Sequence, residues 1–502
     1  MPSTKRPWRK GASCTSATGG QADSGGTREY LSEAATTVAT ATVLPLSPFQ
    51  PDLHERAWAS IPHPTVPLLA TTHAKGVTVF SLATLFPHSS LTGGHTRSVR
   101  TAAWEPGLSS DKLCLVTGSF DSTAGFWRWD ENAAIDNVET NRVERTLESE
   151  ATTSWGDTIG TDGDRDWEFS VVLEGHESEI KSCAFSPSAA FLATCSRDKT
   201  IWIWENVGGP SGSEDEWETV AILNEHEGDV KAVRWCPDVP GRNSRRSYGP
   251  EVLASASYDN TVRMWREDAD ADWVCVAVLD GHDGTVWGIE WESCPARKDR
   301  FPRLLTCSAD ATVRVWTLKE DEADRDGNDS PALRSTGRGA LGGVPNTMRA
   351  SLRDEWTCTA VLPKAHERDI YAVTWSSQSG LVASAGSDGT IALYVEAETS
   401  RARSCGATGA DPVCDIAHFA ATGPSSPTAS WGLLATVPNA HGPYEINHIT
   451  WCNRYDAASA CRGEEEMLVS TGDDGLVRPW KVRLEPSACP DGQEPTGCAN
   501  AP

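Results

Sequence analysis

The sequence predicts an all-β fold, a seven-bladed β-propeller whose blades are four-stranded antiparallel sheets, with long disordered insertions on one face. Three observations predict it. A cluster returns six times: a His, an aromatic nine or ten positions later, an Asp, and an aromatic six positions beyond the Asp, as in His176, Phe185, Asp198 and Trp204. Between these points apolar and polar residues alternate as in half-buried strands, over Ile180–Phe185, Phe191–Ser196, 200–204 and 219–223. Seven such repeats of about 40–45 residues account for roughly 300 residues, so the rest of the 502 belongs to tails and insertions.

In chain order, residues 1–38 read as a disordered tail. Its first ten residues are basic, contain Pro7 and lead into no apolar run, so they are not a secretory signal. The propeller is expected over 39–486 and a second disordered tail over 487–502. Residues 40–46 form a strand-like run expected to close the ring by pairing beside 477–482. An eroded copy follows, with runs at 56–60, 68–72 and 76–80, but Ala74 stands where the Asp belongs. The six full copies carry His95 with Asp121, His176 with Asp198, His226 with Asp259, His282 with Asp310, His366 with Asp388 and His441 with Asp474.

These twelve residues make sense as a structural network. The Asp accepts from the His ring, the His from a strand Ser such as Ser196, and the Ser meets an indole of the preceding repeat position. Each bond contributes only about 0.5–1.5 kcal/mol, but breaking one leaves a buried polar group costing about 1–3 kcal/mol.

Three long stretches, 131–166, 320–354 and 397–430, fall between third and fourth strands, and three shorter ones, 237–250, 292–303 and 453–466, between first and second. In a meander both connections emerge on the same side of the ring. They are rich in Gly, Ser, Pro and charge, and most are expected to be disordered.

The other face keeps short turns, and function is sought there. The residue before each Asp (Phe120, Arg197, Tyr258, Ala309, Ser387, Asp473) and the first residue of each inner strand (Arg100, Lys181, Lys231, Trp287, Tyr371, Asn447) should project onto it. Arg100, Lys181, Arg197 and Lys231 form a basic arc, continued by Tyr258, Trp287 and Tyr371. This partner-binding set suits an acidic peptide or chain end with a bulky apolar residue.

The formal net charge of -26 argues against a general grip on nucleic acid, which needs a Lys/Arg surplus. No run approaches the ~18 apolar residues of a membrane helix, so a soluble chain with no membrane partner is expected. None of the 15 cysteines is spaced Cys-x-x-Cys, and many lie in apolar runs, which suggests buried thiols in a reducing compartment and no metal site.

The pattern resembles WD40 repeats. Leu-Glu-Gly-His-Glu at 173–177, Leu-Ala-Thr-Cys-Ser-Arg-Asp-Lys at 192–199 and Trp-Ile-Trp-Glu at 202–205, with Leu-Ala-Ser-Ala-Ser-Tyr-Asp at 253–259 and Asp-Trp-Val-Cys at 272–275, closely resemble the WD-repeat family of cytosolic iron-sulfur protein assembly (CIA). The resemblance implies a non-catalytic scaffold of a cytosolic targeting complex that promotes insertion of [4Fe-4S] clusters into cytosolic and nuclear apo-proteins, without holding a cofactor itself. It implies as partners a small DUF59-type subunit, a large HEAT-repeat adaptor, an iron-only-hydrogenase-like cluster carrier and apo iron-sulfur client proteins. It makes Arg197, in the Cys-Ser-Arg-Asp-Lys turn, the family's exposed functional arginine. The compartment it implies is the cytoplasm, with the nucleus left open as a second.

Two other classes compete. A ubiquitin-ligase substrate receptor, or another peptide-binding adaptor, often carries Trp-Asp-x-Arg, but Trp129 and Asp130 are followed by Glu131 and Asn132. An enzyme would need a Ser/His/Asp or Cys/His set beyond the residues committed to turns, and none has recognisable spacing.

Overall fold

The structure is a computed structural model that describes residues 40–130, 167–208, 216–239, 250–293, 301–319, 354–397 and 430–485. They form 28 strands, the first of which, β1 (Thr40–Pro45), belongs to the last blade. Blade 1 is β2 (Ala57–Pro62), β3 (Leu68–His73), β4 (Gly76–Ser81) and β5 (Pro87–Leu91); blade 2 is β6 (Val99–Trp104), β7 (Lys112–Ser119), β8 (Ala124–Asp130) and β9 (Glu168–Leu173). Blade 3 is β10 (Ile180–Phe185), β11 (Phe191–Ser196), β12 (Ile201–Asn206) and β13 (Trp217–Leu223), and blade 4 is β14 (Val230–Trp235), β15 (Val252–Ser257), β16 (Val262–Glu267) and β17 (Trp273–Leu279). Blade 5 is β18 (Val286–Trp291), β19 (Leu304–Ser308), β20 (Val313–Leu318) and β21 (Trp356–Val361), and blade 6 is β22 (Ile370–Trp375), β23 (Val382–Gly386), β24 (Ile391–Glu396) and β25 (Trp431–Val437). Blade 7 is β26 (Ile446–Asn453), β27 (Glu466–Gly472) and β28 (Val477–Glu485), completed by β1.

A single twisted sheet of this size cannot cover its own two apolar faces, so the core lies between blades. Each of the seven gaps holds one apolar cluster. Between blades 3 and 4, for example, Cys195, Ile203 and Leu223 meet Val230, Trp235 and Trp265. Second strands are therefore buried on both sides, which is why all six residues of β15 are inaccessible and its sequence reads as a continuous small and apolar run. The inner-strand Trp indoles also cross the gaps: Trp104, Trp235 and Trp291 donate to the carbonyls of Ile61, Ala184 and Arg234 in the preceding blade.

The ring closes where the amino-terminal strand meets the carboxyl-terminal one. β1 runs antiparallel to β28, from Thr40 opposite Glu485 to Pro45 opposite Trp480, a few residues beyond the expected 477–482. This hydrogen-bonded seam ties chain segments more than 400 residues apart.

In six blades the Asp, His and hydroxyl form one chain. His Nδ1 donates to the Asp carboxylate at 2.8–3.2 Å. Nε2 then accepts from Thr117, Thr194, Ser255, Thr306, Ser384 or Ser470 at 2.7–3.0 Å. Two parts of the expected chain are corrected. In blade 3 the hydroxyl is that of Thr194, while Ser196 donates to the Ser178 carbonyl and accepts from the Asp198 amide, tightening the turn. The indole comes from the same blade, Trp204 donating to Thr194 at 3.0 Å, because the second and third strands are hydrogen-bonded neighbours.

Of the six stretches, most of them expected to be disordered, 453–466 is ordered. Arg454, with a side chain only 3% exposed, holds Asp456 and Glu465, and Glu465 is further bonded by Ser459 and Lys481. A buried guanidinium with two carboxylates orders a loop whose composition suggests otherwise. The stem of 292–303 is similarly clamped, with Arg303 forked onto Glu292 and Glu396. The stretches 131–166, 320–353, 398–429, 240–249 and 294–300, and the tails 1–39 and 486–502, lie outside the described residues.

Candidate functional site

The second residue of every inner strand is a β-bulge. In blade 3, Ile180 opposes Ser196 and Ser182 opposes Cys195, so Lys181 has no opposite number. The same skip falls at Trp58, Arg100, Lys231, Trp287, Tyr371 and Asn447. A bulge turns a side chain out of the regular alternation, and here it directs one residue per blade to the mouth of the central channel. All but Trp58 are the inner-rim residues expected from the sequence, one place inside strands that begin a residue earlier.

The outer-rim residues, those before each Asp, are fixed by backbone. The amides of Phe120, Arg197, Tyr258, Ala309, Ser387 and Asp473 donate to the carbonyls of Ser98, Glu179, Asp229, Thr285, Asp369 and Glu445 at 2.8–3.0 Å. The residue after each Asp has positive φ, and four of these are not glycine: Ser122, Lys199, Asn260 and Ala311. That conformation costs about 1–2 kcal/mol for an L-residue. The Asp carboxylate holds it by accepting the amide two residues on, as from Thr200 to Asp198 at 2.9 Å, and the amide after the His, as from Glu177 at 3.0 Å. One carboxylate thus joins both turns of its blade on this face. Asp198 accordingly lies well below the usual carboxylate range, at about 2: burial opposes ionisation but is outweighed by His176 and Thr200.

Around the mouth, cations pack against rings. The Arg100 guanidinium lies 5.1 Å from the Trp58 ring, Trp58 and Phe120 are 5.6 Å apart, and the Lys181 ammonium lies 4.5 Å from Phe120. Lys231 sits between Tyr258 at 5.4 Å and Trp287 at 5.0 Å, and Trp287 meets Tyr371 edge-on at 5.3 Å. Tyr258 is 61% exposed and Arg197 59% at its side chain, whereas Lys231 is almost covered. The structure brings Arg100, Lys181, Arg197, Lys231, Tyr258, Trp287 and Tyr371 to one face, while Ala309 and Ser387 leave blades 5 and 6 low.

Sequence reasoning missed a third set, the residues just before each inner strand. Four are acids. Glu179 pairs with Arg97 and Arg197, and Asp229 with Lys231 at 3.1 Å and Arg197 at 4.0 Å. Asp369 accepts from the Trp287 indole and Glu445 from the Tyr371 hydroxyl, both at 3.1 Å. Burial, then Glu445, pushes the Tyr371 phenol up to about 12. At the seam, Asp473 accepts from Arg56 and Asn447. The signal was available: these acids fall three or four places after each repeat's His. The face is therefore less basic than the arc suggested, because Arg197 and Lys231 already have carboxylates.

Two other chemistry-bearing groups are committed elsewhere. His448 accepts from the Ser60 amide across the seam, and burial pushes it down to about 3. Burial raises the Cys183 thiol to about 12. Among the described residues no group of three or more His, Cys, Asp or Glu could hold a metal ion. The opposite channel mouth has two clefts of about 280 and 330 Å³, lined mainly by inner-strand ends and prolines such as Pro62, Pro64 and Pro187.

The WD domain, G-beta repeat family (WD40) matches at 167–205, 217–266, 273–317 and 356–394, which are parts of blades 2 to 6. A Neurospora crassa protein named "Probable cytosolic iron-sulfur protein assembly protein 1" is 54% identical over 473 residues, spanning 89% of this chain and 97% of its own length. Proteins with the same name from Chaetomium globosum and Pyricularia oryzae are 54% and 56% identical, spanning 88% and 87% of this chain and 96% of their own length in each case. The chain, a WD-repeat β-propeller, belongs to the cytosolic iron-sulfur protein assembly protein 1 family.

Proposed function

We propose that this chain is a non-catalytic scaffold of cytosolic iron-sulfur protein assembly, acting in the cytosol in a targeting complex that promotes insertion of [4Fe-4S] clusters into apo-proteins. The relatives' shared name supports the pathway. The observation that carries the scaffold role is the short-turn face. The six His and Asp pairs of the network are spent on holding turns, and beside acids such as Glu179 and Asp229 the face presents cations and aromatic rings, among them the well exposed Arg197 and Tyr258, of the kind that anchor protein partners. The cluster is cargo that passes between partners. Those partners are the small DUF59-type subunit, the HEAT-repeat adaptor, the hydrogenase-like carrier and the client apo-proteins.

Arg197→Glu tests the reading without touching the network, since Arg197 is exposed and its backbone bond remains. The variant should melt like the parent but capture assembly partners about three- to tenfold less well, because rim charges act mainly on encounter. It should also fail to restore cytosolic [4Fe-4S] enzyme activity in cells depleted of the parent. Full capture and full restoration would remove Arg197 from the site. Recovery of ubiquitin-ligase subunits in place of assembly factors would replace the scaffold reading with a substrate-receptor one.

A further inference from the structure

Besides the exposed turn residues Lys75 and Lys199, six cations line the short-turn face of blades 1 to 4, and four of the six have carboxylates. Arg56 is bonded to Asp473, Arg97 to Glu179, Arg197 to Glu179 and Asp229, and Lys231 to Asp229. Arg100 and Lys181 differ. Among the described residues neither side chain has a hydrogen bond or an ion pair within 4 Å, although both sit half-buried at the channel mouth. Each lies over an aromatic face instead, Arg100 on Trp58 and Lys181 on Phe120, and the two rings touch each other. The result is a cation, ring, ring, cation unit, with Arg100 on β6, Trp58 on β2, Phe120 in the turn after β7 and Lys181 on β10.

Charge is expensive to bury without a counter-ion, and ring faces offset only part of that cost. Both groups are shifted toward the neutral form. Burial, with Lys231 and Arg100 adding to it against Glu179 and Asp229, brings the Lys181 ammonium down to about 8. Burial and then Arg56 bring the Arg100 guanidinium to about 10. Unpaired groups so placed are poised for an anion, and the bulges leave them no ladder role that would explain their retention.

We propose that Arg100 and Lys181 together clamp one carboxylate of a partner's peptide segment at the channel mouth, with Arg197 steering the approach from outside. The proposal rests on the reading of this face as the partner-binding one and specifies its anchor. A carboxylate is the anion that suits an arginine fork with a lysine as a second donor. The ring pair beside it accepts a neighbouring apolar side chain. Glu179 and Asp229, flanking the arc, disfavour a segment carrying many acids in a row.

Three pentapeptides carrying an uncharged BODIPY label, alike except for charge, would test this on the full chain by anisotropy: a C-terminal amide with one central glutamate, the same amide with glutamine, and the glutamine peptide with a free carboxyl end. At least one acid should bind about tenfold more tightly than the neutral amide, the scale of a charge-assisted hydrogen bond, and which acid wins identifies the source of the carboxylate. Arg100→Gln and Lys181→Gln should each abolish that preference, while Arg197→Gln should keep it within about threefold and mainly weaken its salt dependence. Both inner variants should melt at or above the parent temperature, because a buried unpaired charge has been removed. A clear drop in melting temperature for both would make them structural residues and overturn the proposal. So would the absence of saturable binding by either acid, an unchanged preference in both inner variants, or displacement by inorganic phosphate at concentrations where acetate has no effect. If the chain still captures assembly factors while the acids fail to bind, the scaffold reading stands and the clamp falls. If the acids bind but no assembly factor is captured, the reverse holds.

Discussion

Blade 3 carries the whole chain from Asp198 through His176 and Thr194 to Trp204, whereas blade 1 has Ala74 at the Asp position and a lone His73 bonded to Thr78. Both nevertheless have four strands in the same order and the same inner bulge. The difference separates two tasks. Packing between blades makes the sheet, and the network fixes the turns that present the rim. Blade 1, lacking the network, is held from outside: the amides of Leu46, Phe49 and Leu53 bond to blade 7 carbonyls, Phe49 packs on Phe80 at 5.3 Å, and Asn447 reaches the Ala57 carbonyl.

Deleting 40–46 removes the fourth strand of blade 7 and the start of the segment supporting blade 1. It should cost more than about 5 kcal/mol, the scale of a domain's whole stability, and be seen as aggregation or loss of a cooperative melt. A cooperative melt at the parent temperature would show that the ring does not need this seam. Asp198→Ala should destabilise by about 2–4 kcal/mol, since it strands His176, Thr200 and two amides at once. A melt unchanged within error would show that the network is as dispensable in blade 3 as in blade 1.

Acid should separate the blades more gently. The Asp121 and Asp198 carboxyls have folded pKa values depressed to about 2, in each case with burial opposing and hydrogen bonds to the ionised form prevailing. Their contribution is full above the unfolded value near 4 and is lost as pH falls through 2, by about 2 kcal/mol per carboxylate. Asp198→Asn should flatten urea stability measured from pH 5 to 2, and an unaltered slope would contradict the assignment. At the seam, Asp473→Ala should cost only about 1 kcal/mol, because Arg56 is half exposed. Smallest of all, Ala311→Gly should stabilise by about 0.5 kcal/mol, relieving positive φ at some entropic cost. A fall in chemical-denaturation stability would mean that the Ala311 methyl makes a contact worth more than the strain.

What could be read from the sequence was what repeats. Strand runs, the His to Asp spacing and the closing strand are periodic, and periodicity survives without coordinates. Thr194 and Ser196 could not be told apart because residues two apart share a strand face. Glu179, Asp229, Asp369 and Glu445 were overlooked because Ser98 and Thr285 interrupt the acidic column, and only the bulge brings acids and cations together. The 453–466 loop misled through composition: one buried Arg454 outweighs its small and charged neighbours. Pairing also changed the weight of the site, since Arg197, prominent in sequence, is already engaged, while Arg100 and Lys181 are not.

The bulge has an evolutionary consequence. A residue outside the strand register can be exchanged without shifting the cross-strand partners of its neighbours, so the seven positions from Trp58 to Asn447 read as letters written around a circle. They are coupled where they touch, as Trp58 with Arg100, Lys231 with Trp287 and Trp287 with Tyr371. A change of partner can be met by respelling that inscription while the ring beneath it keeps its register, and an engineer would do so one touching pair at a time.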